Sequence, residues 1–174
     1  MEAGRAEGRI ALRVPGWCRK YELRVNGQPA DAPVEDGYLT LDREWLEGDT
    51  VVLDFDMPVT RMAADPRVRE DIGKVAVTRG SLVYCLEEND NGNNLHLLRL
   101  PRKAAFETRE EPELLDGVTV LTSPGLRRSE TWEADGLYAP AGTQEETPQT
   151  LTFIPYYAWA NRGVGEMSVW VRET

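Results

Sequence analysis

The sequence predicts an all-β protein with many short strands, arranged as a sandwich or a partly closed barrel. Apolar and polar residues alternate over runs of five or six positions, which is the period of a strand with one buried face. Prolines and glycines separate these runs, and no helical period is sustained between them. Over 174 residues the hydrophobic content is 41%, so the chain can bury a core without disulfides or structural metals.

The first strand is predicted from the alternation of Ile10, Leu12 and Val14 with Ala11 and Arg13. The dipeptide at 15–16, Pro-Gly, should end it, because proline cannot donate a ladder hydrogen bond. The tryptophan that follows, at position 17, is expected to plug one end of the fold.

A hairpin follows in residues 21–27. Alternation over 21–25 runs directly into Asn26-Gly27. This dipeptide favours a type I′ turn, because both central residues need a positive φ. Two further strands are expected at residues 38–41 and 50–55, joined by a tight connection over 43–49 that anchors Trp45.

The second half of the chain begins after Met62, where residues 63–71 are polar and aperiodic. Dense apolar runs at 74–79 and 81–86 predict core strands, and residues 166–172 alternate cleanly. Weaker strand candidates lie at 95–100, 104–108, 117–121 and 150–154.

Charge excludes several partners. Thirty acidic and twenty basic residues give a net charge of -10, which disfavours nucleic acid and anionic membranes. Neither a secretory h-region nor a membrane-spanning run is visible, so we expect a cytoplasmic protein. Cys18 and Cys85 are too far apart for a C-x-x-C pair, and the one histidine, His96, cannot complete a zinc set. Two reduced thiols are the expected state, with one disulfide as the alternative.

The most unusual segment lies near the C-terminus, where aromatic residues crowd around a proline. Together with five other clusters, in order along the chain, it resembles glycoside hydrolase family 127, the β-L-arabinofuranosidase-like family. The resemblance runs from residue 9 to the C-terminus and covers the family's C-terminal β-sandwich region. The clusters are Arg13-Val14-Pro15-Gly16-Trp17-Cys18, Gly37-Tyr38-Leu39-Thr40-Leu41, Arg43-Glu44-Trp45, Gly48-Asp49, Arg79-Gly80-Ser81-Leu82-Val83-Tyr84-Cys85 and Ile154-Pro155-Tyr156-Tyr157-Ala158-Trp159-Ala160-Asn161-Arg162-Gly163.

The resemblance implies two successive jelly-roll-like sandwiches. Residues 9–62 and 164–174 would form the first, 63–163 the second, and 1–8 would be disordered. Strands supplied from before residue 9 would be missing from the first sandwich, which would leave an open edge that favours self-association.

By the same resemblance, the family's chemistry belongs to an upstream (α/α)6 barrel whose motifs are absent here. That barrel carries a zinc site of three cysteines and a glutamate, in which one cysteine is the nucleophile, and a second glutamate as acid/base. Cys18 and Cys85 match sandwich positions instead. We therefore expect no catalytic residue, cofactor or metal in this chain and no activity from it alone.

The candidate contact site is Tyr156, Tyr157, Trp159, Asn161 and Arg162. Aromatic rings stack on sugar faces, while amides and guanidinium groups bind hydroxyls, so a plant-type oligosaccharide is one expected ligand. The alternative favoured by residue type is that the rings are core residues at a strand corner and that Arg162 pairs with a carboxylate. A third alternative is that the segment packs on the barrel.

Residues 87–94 contain enough side-chain oxygens for calcium, but they lack the spaced ligands of a calcium loop, and a solvated turn is the preferred interpretation. The lone histidine has no triad partners and is expected at the surface.

Three hypotheses about function follow. The first is a non-catalytic accessory region that supports the barrel of a family 127-like hydrolase acting on terminal β-L-arabinofuranosides or related sugars. The second is a free-standing carbohydrate-binding module. The third is a structural domain that forms homo-oligomers by adding strands at its open edge.

Overall fold

A computed structural model describes residues 4–140, 142 and 144–174 of the chain. The described residues form two compact units, 1–58 and 59–174, apart from the undescribed positions. Nearly all regular structure is β-strand, so the prediction of an all-β fold is confirmed. No helix within the described ranges is long and apolar enough to cross a membrane.

The first unit consists of two three-stranded antiparallel sheets. One sheet has the order β1-β5-β4 and the other β3-β2-β6. Apolar residues from both sheets, among them Leu23, Leu39 and Leu41, share one core, so this unit is a small sandwich. Its strands are β1 (Arg5–Arg13), β2 (Tyr21–Val25), β3 (Gln28–Pro29), β4 (Val34–Glu35), β5 (Tyr38–Leu46) and β6 (Val51–Phe55).

The hairpin predicted at Asn26-Gly27 is confirmed. Val25 pairs with Gln28, which leaves a two-residue loop. Asn26 has φ 52° and Gly27 φ 75°, as a type I′ turn requires. The turn is held by its neighbour Asp49, whose Oδ1 accepts a hydrogen bond from Asn26 Nδ2 at 2.8 Å.

Two tryptophans hold this unit together as the sequence suggests, though one connection differs. Trp17 contacts Phe55 edge to face, with ring centroids 5.7 Å apart. Trp45 Nε1 donates to the Gly8 carbonyl at 2.9 Å. The tight connection predicted over 43–49 is instead strand as far as Leu46, because β1 extends back to Arg5 and pairs along the whole length of β5.

The second unit carries nine strands among its described residues. Its one-turn helix is α1 (Glu88–Asn91), and short 3-10 helices cover Arg69–Asp71, Leu95–Leu97 and Tyr156–Ala158. The strands are β7 (Val59–Met62), β8 (Lys74–Arg79), β9 (Leu82–Glu87), β10 (Leu98–Leu100), β11 (Glu107–Glu111), β12 (Val118–Arg128), β13 (Glu146–Pro155), β14 (Met167–Ser168) and β15 (Trp170–Glu173).

Six of these described strands close into a ring. The sequence predicted either a sandwich or a partly closed barrel, and this sheet has the barrel-like form. The pairing runs β9-β13-β12-β10-β15-β8 and returns from β8 to β9. The β10–β15 pair is parallel, and the other five contacts are antiparallel. A closed ring leaves no free hydrogen-bonding edge among its members.

The residues that point into the ring form the larger core. They alternate along each strand with residues on the outer face. The inner set is Val75, Val77, Tyr84, Leu86, Leu98, Leu100, Leu121, Leu151, Phe153 and Val171. A second, smaller cluster lies on the outer face of β9, β12 and β13 and includes Cys85, Val120 and Ile154.

The predicted domain boundaries need three corrections. The C-terminal strand β15 pairs with β8 and β10 in the second unit, so the prediction that residues 164–174 complete the first sandwich is wrong. The division lies at 58/59 and not at 62/63, because β7 pairs with β8. Residues 5–8, predicted to be disordered, belong to β1, while residues 1–3 of that prediction lie outside the described residues.

Candidate functional site

The predicted contact site comes directly after β13 in the chain. This strand is the second longest in the ring. Pro155 ends this strand, and the chain then makes the 3-10 turn Tyr156–Ala158. Ala158 is fully buried and packs in the outer-face cluster with Cys85 and Ile154. A small residue therefore anchors the turn, and the larger residues on either side project away from the core.

Tyr156, Tyr157 and Trp159 form what we call the aromatic face. Their exposed fractions are 45%, 57% and 40%, so the interpretation of these rings as core residues is wrong. The rings of Tyr156 and Trp159 are stacked with their centroids 6.2 Å apart and an interplanar angle of 30°. Two of the three partly exposed rings therefore stack on one another.

Arg162 pairs with two carboxylates, as its favoured interpretation predicted. Its Nη1 donates to Asp90 Oδ1 at 2.8 Å and its Nη2 to Glu87 Oε2 at 2.5 Å, with a further contact from Nη2 to Asp90 Oδ2. Glu87 is 2% exposed. The hydrogen bonds to Asp90, and then those to Glu87, raise the pKa of Arg162 above its ordinary value despite partial burial. The guanidinium is thus charged and held by both carboxylates.

The other polar groups of the segment also hold its own backbone. Glu87 Oε1 accepts a hydrogen bond from the Ala160 amide at 2.9 Å, which fixes a residue with φ 63°. Asn161 Nδ2 donates to the carbonyls of Ala158, at 3.1 Å, and Trp159, at 3.3 Å. Glu87, at the end of β9, therefore acts as the buried anchor of the whole turn.

Residues 87–94 are not a solvated turn, because their central asparagine is buried. Asn91 is 3% exposed, and its Nδ2 donates to the carbonyls of Glu87, at 3.0 Å, and Thr152, at 2.8 Å. Its Oδ1 accepts from the Thr152 amide at 2.9 Å. No group of three or more His, Cys, Asp or Glu side chains able to hold a metal occurs within the described ranges. The Asn91 side chain ties α1 to β13.

Both cysteines are free thiols. Cys85 is fully buried, and burial, followed by the nearby Glu87 carboxylate, raises its pKa to about 12. Cys18 is half-buried, and its Sγ donates to the Lys20 carbonyl at 3.1 Å. A buried thiol with a raised pKa is a poor nucleophile, so the chemistry of Cys85 is that of a small apolar residue.

The structure also brings together residues that the sequence analysis did not connect. A cleft of about 670 Å³ on the outer face of the second unit is lined by Lys74, His96, Arg99, Arg128 and Arg172, among others. His96 is exposed at this cleft, as predicted for a surface histidine. The cationic side chains come from four different strands, so no spacing within any one segment could have revealed them.

Comparisons with known proteins place both units in one enzyme family. A family described as "Glycoside hydrolase family 127 C-terminal domain" matches residues 59–172, and one described as "Beta-L-arabinofuranosidase, GH127 middle domain" matches residues 1–57. A non-reducing end β-L-arabinofuranosidase from Bifidobacterium longum subsp. longum is 42% identical over 171 residues, which cover 94% of this chain and 26% of that protein.

Solved structures agree with this assignment. A GH127 β-L-arabinofuranosidase from Geobacillus stearothermophilus T6 matches 99% of the chain with a TM-score of 0.90 and 47% identity. A GH127 β-arabinofuranosidase matches the same share with a TM-score of 0.86 and 37% identity. The chain spans 27% and 28% of those two proteins, about a quarter of the length of each relative.

Proposed function

Because the chain belongs to glycoside hydrolase family 127, we propose that it is the non-catalytic accessory region of a β-L-arabinofuranosidase. Its two units support the catalytic part of that enzyme, and the aromatic face packs against that part. The observation that carries the proposal is the exposure of Tyr156, Tyr157 and Trp159 on a rigidly held turn. The relatives contain about three times as much additional chain, which supplies an occupant for this face.

The choice of a protein partner over a sugar rests on how the polar groups are used. A sugar site needs hydrogen-bonding groups directed at hydroxyls beside its stacking rings. Here Arg162 is held by Glu87 and Asp90, and the amide nitrogen of Asn161 is held by backbone carbonyls. Partly exposed aromatic rings whose polar neighbours already have hydrogen-bond partners are typical of the centre of a protein interface.

The proposal includes the parent reaction, which is hydrolysis of terminal β-L-arabinofuranosides, and assigns no catalytic step to this chain. A direct test grafts residues 1–174 in place of the matching region of the Geobacillus enzyme. The chimera should hydrolyse a chromogenic β-L-arabinofuranoside, and the chain alone should not. Hydrolysis by the chain alone would refute the accessory role.

The aromatic face is tested in the same chimera with Tyr157→Ser and Trp159→Ser. These changes should lower the melting temperature and the activity of the chimera but leave the melting temperature of the 174-residue chain unchanged. Tyr138→Ser is the matched control, because Tyr138 is 93% exposed in the same unit and lies outside this face. Equal destabilisation of the chain alone would show that the rings stabilise the unit itself, not an interface.

Carbohydrate binding remains the second candidate, favoured by the partial exposure of the three aromatic rings in one segment. Titration of the isotope-labelled chain with L-arabinose and galactose separates the two functions. Saturable shifts of the Trp159 indole would favour the binding module, because stacking on a sugar changes the ring environment. An unchanged indole signal at high sugar concentration would leave the interface proposal standing.

A further inference from the structure

Four strands of the ring place like charges beside one another on the outer face of the second unit. Lys74 on β8 pairs directly with Arg172 on β15, and Arg172 pairs with Arg99 on β10. Their neighbours along each strand, including Val75, Leu98 and Val171, point into the core, so the three cations share the outer face. We call Lys74, Arg172, Arg99 and the adjacent Arg128 the basic row.

Arg128 joins this row through the next strand. Arg99 pairs with Leu126 on β12, and Arg128 lies two residues further along on the same face. Burial, followed by the charges of Arg128 and Arg172, lowers the pKa of Arg99 from its ordinary value, and the Glu146 carboxylate only partly opposes this shift. Like charges placed directly opposite each other destabilise a sheet, and this row occurs in a chain of net charge -10, where carboxylates are plentiful.

Arg99 is the most unusual member, because it is only 6% exposed. Its Nη1 donates to the carbonyls of His96, at 3.0 Å, and Leu98, at 2.9 Å. Within the described ranges, neither Arg99 nor Arg172 has an ion pair with a carboxylate. A buried guanidinium without a counter-ion is costly, and the side chain lines the cleft, where an anion could supply that counter-ion.

The remaining cations are also incompletely neutralised. Arg128 Nε is buried and has no hydrogen-bond partner in the described part of the chain. Its nearest carboxylate is Glu146, at 3.8 Å. Lys74 is likewise 3.8 Å from Asp71. The lining of the cleft includes one carboxylate, Glu166, and its Oε2 is bound to the Leu95 amide at 2.8 Å.

We propose that this cleft is a binding site for a carboxylate group, held by Arg99, Arg128 and Arg172. A planar carboxylate can accept paired N–H donors from guanidinium groups and adds a negative charge among the cations of the row. The cleft volume of about 670 Å³ admits more than the bare anion. The carboxylate therefore belongs either to a sugar acid or to an acidic side chain from another protein segment. The site is separate from the aromatic face and does not depend on its function.

The test titrates the 15N-labelled chain with sodium acetate, galacturonate and neutral galactose at constant ionic strength, and follows the Nε–Hε signals of the arginines. Both acids should shift the signals of Arg99 and Arg128 along saturating curves, while galactose should leave them unchanged. Galacturonate that binds about tenfold tighter than acetate identifies a sugar acid as the ligand. Equal affinities identify the bare carboxylate of an acidic side chain.

Arg172→Gln and Arg128→Gln should each weaken acid binding about tenfold or more, because each removes a charge-assisted donor. Arg67→Gln is the matched control, since Arg67 is exposed and already paired with Asp65. Non-saturating shifts of the arginines, equal binding of galactose and galacturonate, or equal weakening by the Arg67 variant would each overturn the proposal. Unchanged backbone spectra of the variants would confirm that their fold is intact.

Discussion

The ion pair between buried Glu87 and partly exposed Arg162 gives the sharpest prediction about how the aromatic turn is held. Replacing Arg162 with methionine keeps most of the side-chain length but removes the charge. Glu87 is 2% exposed, so the substitution leaves a buried carboxylate that retains the amide hydrogen bond from Ala160. Breaking a buried pair by removing one partner costs about 3–5 kcal/mol. Because the Arg162 side chain is 31% exposed, water can partly replace it, and we expect a loss near the lower end, about 3 kcal/mol.

The assay is urea unfolding of the full chain, followed through NMR signals from the second unit so that separate unfolding of the first unit does not enter the result. Arg67→Met is the control, because the Arg67 and Asp65 side chains are 90% and 49% exposed and such surface pairs contribute about 0–1 kcal/mol. The double variant Glu87→Gln, Arg162→Met should recover part of the loss, since it removes the buried charge. If Arg162→Met costs no more than Arg67→Met, the reasoning about a buried anchor is refuted.

Three other substitutions or conditions give measurable results. Gly125→Ala should lower the free energy of unfolding by about 1–3 kcal/mol through overpacking. The added Cβ would lie 2.4 Å from Leu151 Cγ. An unchanged urea midpoint would contradict this. Asn91→Ala should lower the free energy of unfolding by about 1–3 kcal/mol, because it leaves buried backbone groups without hydrogen-bond partners. Hydrogen exchange at the Thr152 amide is the local measurement. Unchanged protection of that amide would argue against the role given to Asn91. The pKa of Cys85 is raised to about 12 in the folded state. The unfolded chain therefore loses the thiol proton at a lower pH than the folded chain does. As a result, the free energy of unfolding should fall as pH rises from about 9 toward 12. Cys85→Ala should flatten that alkaline decline, and a thiol reagent at pH 8 should label Cys18 but leave Cys85 unmodified until the chain unfolds.

The turns and strand periods of this chain can be predicted from its sequence, because interactions between neighbouring residues determine them. The alternation of residues 21–25 and the dipeptide Asn26-Gly27 specify a hairpin, because Asn and Gly both tolerate the positive φ angles of a two-residue type I′ turn. Alternation over 166–172 correctly indicates extended chain, but the one strand it predicts is two strands in the structure, β14 and β15. They pair with different partners, which a pattern of alternation does not identify.

For the candidate site, too, the sequence predicts the kind of contact but not the residue that makes it. The sequence correctly indicates that Arg162 needs a carboxylate, yet thirty acidic residues are available. Only the pairing of β9 with β13 brings Glu87 to the turn that Arg162 ends. Residue type also gave the wrong burial for the aromatic face, because tyrosine and tryptophan serve equally well in cores and interfaces.

By itself the sequence determined the all-β class, the hairpin chemistry and the family to which the chain belongs. The tertiary structure alone decided the closure of six described strands into a ring, the place of β15 within it and the assembly of the basic row. The physical reason is range. Turn conformations and strand periods arise from neighbouring residues, whereas strand partners and charge clusters arise from contacts between segments tens of positions apart, which no local pattern encodes.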